Sequence, residues 1–374
     1  MKLNVLVITQ CSTPYEAKLL GYPANTRFQY FLQYLGRKHR IVEVLDDSLP
    51  QPYRISSAIG NFLPNISKWY TQIIRNTTSF VLKSQASEEK IRNLNDEIDL
   101  VLQIGCLSSP YISNILKPYY LYLDTTTKVA EREHPNWMPW RSPKQRDQWI
   151  MLEKMTYLHA RKIFAMSEYT KKFLISDYGI DKAKIVVVHA GANMMEIPDY
   201  QKNYDAKIIL YVGKDFSRKG GYTILRAFRK VRKHVENARL VIVGCKPDIS
   251  DSKVVIEGVL KREKLLSLYR SASVFVMPSL YEPFGLVFLE AMAHKLPCIG
   301  STRDAMPEII KDNQTGFLIT PDDHETLASK LIFLLQNKEV MENMGKNGWT
   351  RVKETFNWCE VVSRITEEIE KDFV

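Results

Sequence analysis

"KIILYVGKDFSRKGGYTILRAF", Lys207 to Phe228, is the stretch that decides the fold. The aliphatic run "KIILYVG" ends on a glycine, a basic loop follows, and then a helical pattern begins. A short apolar run bounded by turn signals and followed by a helix reads as a buried parallel strand in a βα unit. Lys214, Arg218 and Lys219 lie inside the loop, at the strand's carboxyl end and beside a helix N-terminus. Cations there are placed to neutralise a phosphate or pyrophosphate. Basic surface turns are common, so the loop alone is weak.

Working outward, the same alternation recurs on both sides. The N-terminal half offers "KLNVLVIT", "RIVEVLD", "DLVLQIG", "YYLYLD", "KIFAMS" and "KIVVVHAG". The C-terminal half offers "KIILYVG", "ARLVIVG", "VVIEGV", "SVFVMPS", "LPCIGS" and "TGFLIT". Between them, residues 192–206 are polar and without period, as a linker would be. The pattern predicts an α/β protein with two doubly wound, Rossmann-like domains and parallel sheets, the first over 1–198. Sheets of this kind bind ligands at the carboxyl ends of their strands, so two substrates are expected in the cleft between two such domains. Neither half shows GxGxxG after its first strand, which removes the main support for a nicotinamide or flavin site.

The 374 residues suffice for two cores, and 45% hydrophobic with 25% charged residues is a soluble globular composition. Five scattered cysteines without a CxxC pair suit a reducing compartment and no zinc or disulfide framework. The N-terminus reads as a strand and no run is long enough to span a membrane, so the expectation is a cytoplasmic protein. The net charge of +10 is uneven, with +7 on residues 1–198, and suits anionic partners. Nucleic acid is not among them, because the cations form no arm and no nucleic-acid motif is present. The seven histidines show no metal-ligand spacing.

"MPSLYEPFGLVFLEAMA", Met277 to Ala293, carries two acids in nearly apolar surroundings. Glu282 falls in the loop after a buried strand and Glu290 inside the helix that begins near Phe284 and Gly285. First-turn amides around Gly285, Leu286 and Val287 make a second anion site, and the acids on either side can accept hydroxyl protons. A sugar, a diphosphate and a ribose in sequence would match that arrangement.

Taken together, "EPFGLVFLEAMA", "GKDFSRKG", "LYRSASVFVMPS", "PEIIKDNQTGFLITPDD" and "FNWCEVVSRI" make the chain resemble the retaining glycosyltransferases of the GT-B fold. The likeness is to family 4, with its glycogen-synthase-like and phosphatidylinositol-mannosyltransferase-like members. It spans essentially residues 207–374; the N-terminal half is similar more loosely. The resemblance implies a donor domain over 199–357, an acceptor domain before it, and a last helix, 358–374, crossing back to the first domain. It assigns Lys219 and Lys214 to a nucleotide-sugar diphosphate, with Arg218 as a further phosphate ligand. Glu282, Phe284, Gly285, Leu286 and Val287 go to the sugar and β-phosphate, and Glu290 to the ribose. It implies metal-independent, front-face transfer, without a cofactor, to a saccharide or lipid-linked acceptor. The two glutamates would then hold ligand and not form the acid/base pair of a glycosidase. The same fold also serves inverting transferases, phosphorylases and epimerases, and a non-catalytic nucleotide-sugar binder is a further alternative.

The chain departs from the family in places. Lys214 replaces a frequent arginine, keeping the charge without the bidentate fork. Asp304-Ala305 stands where many relatives have paired glycines. Asp124, after "YYLYL", stands where many have a histidine facing the donor sugar; it can take a sugar hydroxyl, act on the acceptor, or cap the end of a strand. The N-terminal loop lacks the usual paired glycines, leaving Gly21 for close approach to the donor. Finally, "NISKWYTQIIRNTTSFVLK", residues 65–83, places apolar residues at helical spacing with cations among them. It is either an ordinary packed helix or an interfacial one, in which Lys68, Trp69 and Arg75 contact an anionic membrane or the acceptor.

Overall fold

The computed structural model describes residues 2–9, 28–49, 51–60, 62 and 64–373. They form two compact units. One comprises Phe31–Val188 and Arg364–Val374 together with the first strand, and the other comprises chiefly His189–Ser363.

The first unit is built on strands β1 (Asn4–Thr9), β2 (Arg40–Asp46), β3 (Leu100–Ile104), β4 (Tyr119–Leu123), β5 (Lys162–Ala165) and β6 (Ile185–Val187). All pair in parallel, in the order β2-β1-β3-β4-β5-β6. Every residue of β3 and β4 is buried, which is why these runs do not alternate; the one polar member, Gln103, donates to the Gly105 and Ser108 carbonyls. The chain's last segment belongs to this unit: Tyr120 donates its hydroxyl to Asp372 at 2.8 Å, and Lys162 pairs with Glu368 at 3.7 Å.

The second unit carries β7 (Ile208–Val212), β8 (Arg239–Val243), β9 (Val254–Gly258), β10 (Val274–Val276), β11 (Cys298–Ser301) and β12 (Gly316–Ile319). They too are all parallel, in the order β12-β11-β10-β7-β8-β9. Each of the twelve apolar runs is therefore a strand. In the second sheet the order reverses between β7 and β10, and the crevice outside the carboxyl ends at such a switch point is where open α/β sheets bind ligands. The loops leaving those two strands are the basic loop, 213–220, and the loop that carries Glu282.

The segment 65–83 is not one helix. Helix Ile66–Ile74 ends, and a second helix, Thr77–Asn93, starts after Asn76. Asn76 caps the new helix by accepting the Ser79 N–H at 2.9 Å, which closes an orphan amide that a continuous helix would not have. Helix Gln51–Gly60 packs against helix Ile66–Ile74.

Candidate functional site

Two loops meet at the switch point of the second sheet because glycines let them. Gly220 is in the left-handed region, φ 75°, and a Cβ there would lie 2.2 Å from the Pro278 carbonyl oxygen. No side chain could be accommodated, so the basic loop runs directly against the loop after β10. The Leu280 N–H donates to the Arg218 carbonyl at 2.8 Å and ties them together. Gly285, φ 102°, then takes the N-cap position of helix Leu286–Ala293, leaving its first-turn amides at the mouth of the site.

The charged groups converge here. Lys219 Nζ lies 3.0 Å from Glu282 Oε2, with both side chains only 13% exposed. Arg218 Nη1 reaches the same oxygen at 3.5 Å and donates to the Tyr281 carbonyl at 2.6 Å. Its Nε faces Asp215 at 3.4 Å. A Cβ on Gly213 would lie 2.6 Å from Lys219 Cδ, so this glycine makes room for the lysine stem. Lys214, next in the chain, is exposed. The structure thus brings Arg218, Lys219, Glu282 and the Gly285 helix start into one cluster, with Phe284 buried beside them and Leu286 and Val287 half-buried in the first turn.

Glu290 lies in the second turn of that helix, 6% exposed, and accepts the Tyr269 hydroxyl at 3.1 Å. Burial pushes its carboxyl up, while Arg262, the Tyr269 hydroxyl, the Asn193 side chain and Lys219 pull the other way. Lys219 is therefore felt by both acids. Behind Tyr269 the polar packing continues. Its ring stacks on His294 with centroids 5.6 Å apart, and burial lowers that histidine to about 4. Lys202 Nζ donates to the Tyr269 and Arg270 carbonyls, both at 2.9 Å, and burial brings it down to about 7.

Several of these contacts had no signal in the sequence. The Glu282 N–H donates to Asp304 Oδ2 at 2.8 Å, across 22 residues, and Asp304 has φ 53°. Tyr269 sat within a quoted motif but nothing in its spacing gave it a role, and Arg262 and Asn193 carried no mark.

The remaining candidates lie elsewhere. Asp124 follows β4 at the carboxyl edge of the first sheet, where its carbonyl accepts the Thr170 hydroxyl at 2.7 Å. Thr126, and not Asp124, caps helix Thr127–Glu133. Gly21 lies outside the described residues. Lys68 is in helix Ile66–Ile74, and its side chain lies outside the described set. The indole N–H of Trp69 needs a partner and donates to the Ala58 carbonyl at 2.8 Å, and Arg75 Nη1 donates to the Trp137 carbonyl at 3.0 Å. Both carbonyls belong to the same unit, and both side chains are half-buried. Lys83 is also buried, beside Asp47. What this hairpin does expose is apolar: Ile55, Ile59, Phe62 and Ile66 are 61%, 75%, 62% and 78% exposed. Among the described residues no group of three or more His, Cys, Asp or Glu could hold a metal ion.

Two parallel α/β units, one with cations and helix-start amides at its switch point, make up the GT-B architecture. Residues 195–351 match the family described as Glycosyl transferases group 1, so the second unit carries a domain of that group. It is similar to the MMP alpha-(1->4)-mannosyltransferase of Mycolicibacterium hassiacum, 27% identical over 72% of this chain and 67% of the relative. Other curated relatives are matched over 18% to 63% of their own length. By fold it resembles sucrose-phosphate synthase from Thermosynechococcus elongatus, with TM-score 0.68, 18% identity and coverage of 100% and 99% of the two chains. It also resembles Anabaena HepE in complex with UDP and glucose, with TM-score 0.63, 14% identity and coverage of 98% and 99%.

Proposed function

We propose that the protein transfers a hexose from a nucleotide-sugar bound by the second unit, with retention of anomeric configuration and without a metal. The observation that carries this reading is the Arg218–Lys219–Glu282 cluster beside the Gly285 helix start, at the switch point of the sheet. In it Lys219, Arg218 and Lys214 neutralise the diphosphate as it leaves, which is the charge that develops in the transition state. Glu282 accepts hydroxyls of the transferred sugar and Glu290 those of the ribose. The bond from the anomeric carbon to the β-phosphate oxygen breaks as the acceptor oxygen bonds to the same face. The acceptor's proton passes to the departing phosphate, so no carboxylate nucleophile is required. Asp124 acts on the side of the acceptor, which the first unit takes. The relative named for mannosyl transfer and the fold neighbour holding UDP and glucose support a nucleotide-sugar and a saccharide.

The acceptor is a saccharide or lipid-linked saccharide, met at the cytoplasmic face of a membrane. Supporting this are the exposed Ile55, Ile59, Phe62 and Ile66, in a stretch, residues 48–87, that holds no Asp or Glu and, besides the buried Lys83, three cations. Apolar surface on short helices with cationic surroundings suits anionic headgroups. No described helix is long and apolar enough to cross a membrane. The four described cysteines are free, in keeping with a reducing compartment.

A thermal-shift screen against UDP-, GDP-, ADP- and dTDP-sugars tests the donor assignment, since a ligand of the folded state raises the melting midpoint by mass action. One nucleotide class should stabilise the wild type and not Lys219→Met. Stabilisation retained in full by the variant would place the donor elsewhere. For the membrane, co-sedimentation with phosphatidylglycerol vesicles should fall on Ile59→Asp; no dependence on anionic lipid or on this substitution would refute it.

A further inference from the structure

We infer that Asp304 is a positioning residue, which clips the loop after β11 to the loop after β10 by accepting the Glu282 amide and so fixes where the Glu282 side chain meets the donor sugar. The inference rests on the reading of Glu282 as the sugar ligand. Three observations carry it. The carboxylate of Asp304 is buried, 8% exposed, and its Oδ2 lies 2.8 Å from the Glu282 nitrogen. The residue adopts φ 53°, a left-handed conformation that glycine takes without penalty and aspartate tolerates with some. The two loops are fastened a second time by Ser301, whose hydroxyl donates to the Ser279 carbonyl at 2.6 Å.

The conformation is informative because it separates two roles. If position 304 served only the fold, glycine would be at least as good, since it relieves the left-handed strain. An aspartate held there does something glycine cannot: it supplies the acceptor for the Glu282 N–H. Without it, the loop stays closed through Ser301 and through the Leu280–Arg218 backbone bond, but the backbone directly under the sugar-binding carboxylate loses its anchor. Arg218 and Lys219 stand on the other loop, and the Gly285 helix start lies beyond the clipped amide, so the groups that hold the diphosphate are not themselves fastened by the clip. The effect falls on the sugar.

The test uses the full chain with Asp304→Gly and Asp304→Asn. In the glycine variant the melting midpoint should hold or rise, while amide hydrogen exchange in the peptide covering residues 280–285 accelerates by about tenfold. With the nucleotide-sugar that best stabilises the wild type, kcat/KM should fall by about tenfold, as expected when a buried donor loses its acceptor. Affinity for the bare nucleoside diphosphate should stay within about threefold. The asparagine variant tolerates the same backbone and offers a carbonyl acceptor, so exchange and kcat/KM should recover to near the wild type. Unchanged exchange at 280–285 in the glycine variant overturns the clip. So does asparagine failing as glycine does, because the effect would then belong to charge. Glu282→Gln is the control for the underlying reading. If it leaves sugar transfer intact, the sugar-binding role of Glu282 fails; if it cripples transfer while Asp304→Gly does not, only the clip fails.

Discussion

Replacing Glu282 by glutamine should tighten the binding of a bare nucleoside diphosphate while it slows sugar transfer. The reason is competition. In the structure the Lys219 ammonium is engaged by Glu282 Oε2 at 3.0 Å, and the same oxygen holds Arg218 at 3.5 Å. A phosphate arriving at these cations has to displace a carboxylate from them. At 3.0 Å and an effective dielectric of about 20 the bare attraction is about 5–6 kcal/mol, but most of it offsets desolvation of two side chains that are 13% exposed. A net coupling of about 1–2 kcal/mol remains, between the values for exposed and fully buried pairs. Removing the competing charge should therefore improve diphosphate affinity by about 5- to 30-fold. With a sugar attached, the glutamine loses a charge-assisted hydrogen bond to a hydroxyl, and turnover should fall by about 10- to 100-fold. Isothermal titration with UDP, GDP, ADP and dTDP, alongside steady-state transfer assays, measures both. Unchanged or weaker diphosphate binding in Glu282→Gln would refute the reasoning, because the ion pair would then not stand in the way of phosphate.

Two glycines should behave differently although both touch the basic loop. Gly220→Ala meets the Pro278 backbone at 2.2 Å in a left-handed conformation, so it should destabilise the fold by roughly 3 kcal/mol or more in denaturant unfolding. Gly213→Ala meets the flexible stem of Lys219 at 2.6 Å and the buried Tyr211 hydroxyl at 2.9 Å, so it should cost less stability than Gly220→Ala while nucleoside diphosphate affinity falls by about tenfold. Glu290→Gln should carry a pH signature. The carboxyl is held above its ordinary value, chiefly by burial, so on raising the pH the unfolded chain gives up this proton first and the wild type loses stability relative to glutamine. The melting-point difference between Glu290→Gln and wild type should therefore grow in favour of glutamine as the pH rises above the ordinary carboxyl range, with nucleotide affinity reduced in the same variant. A difference that is flat with pH would contradict the burial of an ionising group there.

The fold was legible because its signal is continuous and local. Runs such as "LVLQI" and "YYLYL" are buried at every position and nearly free of polar residues, Gln103 excepted, since both faces of a parallel sheet are covered, and all twelve such runs form strands. The break at Asn76 was harder to see. The apolar spacing continues past it, and only the capping bond to Ser79 shows that the backbone restarts there. Trp69 and Arg75 read as surface residues in one dimension, but the carbonyls that satisfy them, Ala58 and Trp137, come from other segments. In the candidate site, Lys219 and Glu282 stood out as charges in loops at strand ends, where chemistry is expected. Tyr269 and Asn193 did not, and Asp304 did so only as a departure from paired glycines, because their roles arise from contacts across 21, 97 and 22 residues that no local pattern encodes.

Proton NMR of the sugar formed at early times from an α-configured nucleotide-sugar addresses the central claim most directly. Slow hydrolysis without acceptor suffices, provided spectra are taken before the free sugar equilibrates. A retaining transfer assisted by Lys219 and Arg218 predicts the α-anomer as the first product, and its disappearance in Lys219→Met. The β-anomer as first product, or α-anomer formed at the same rate by that variant, would contradict the account.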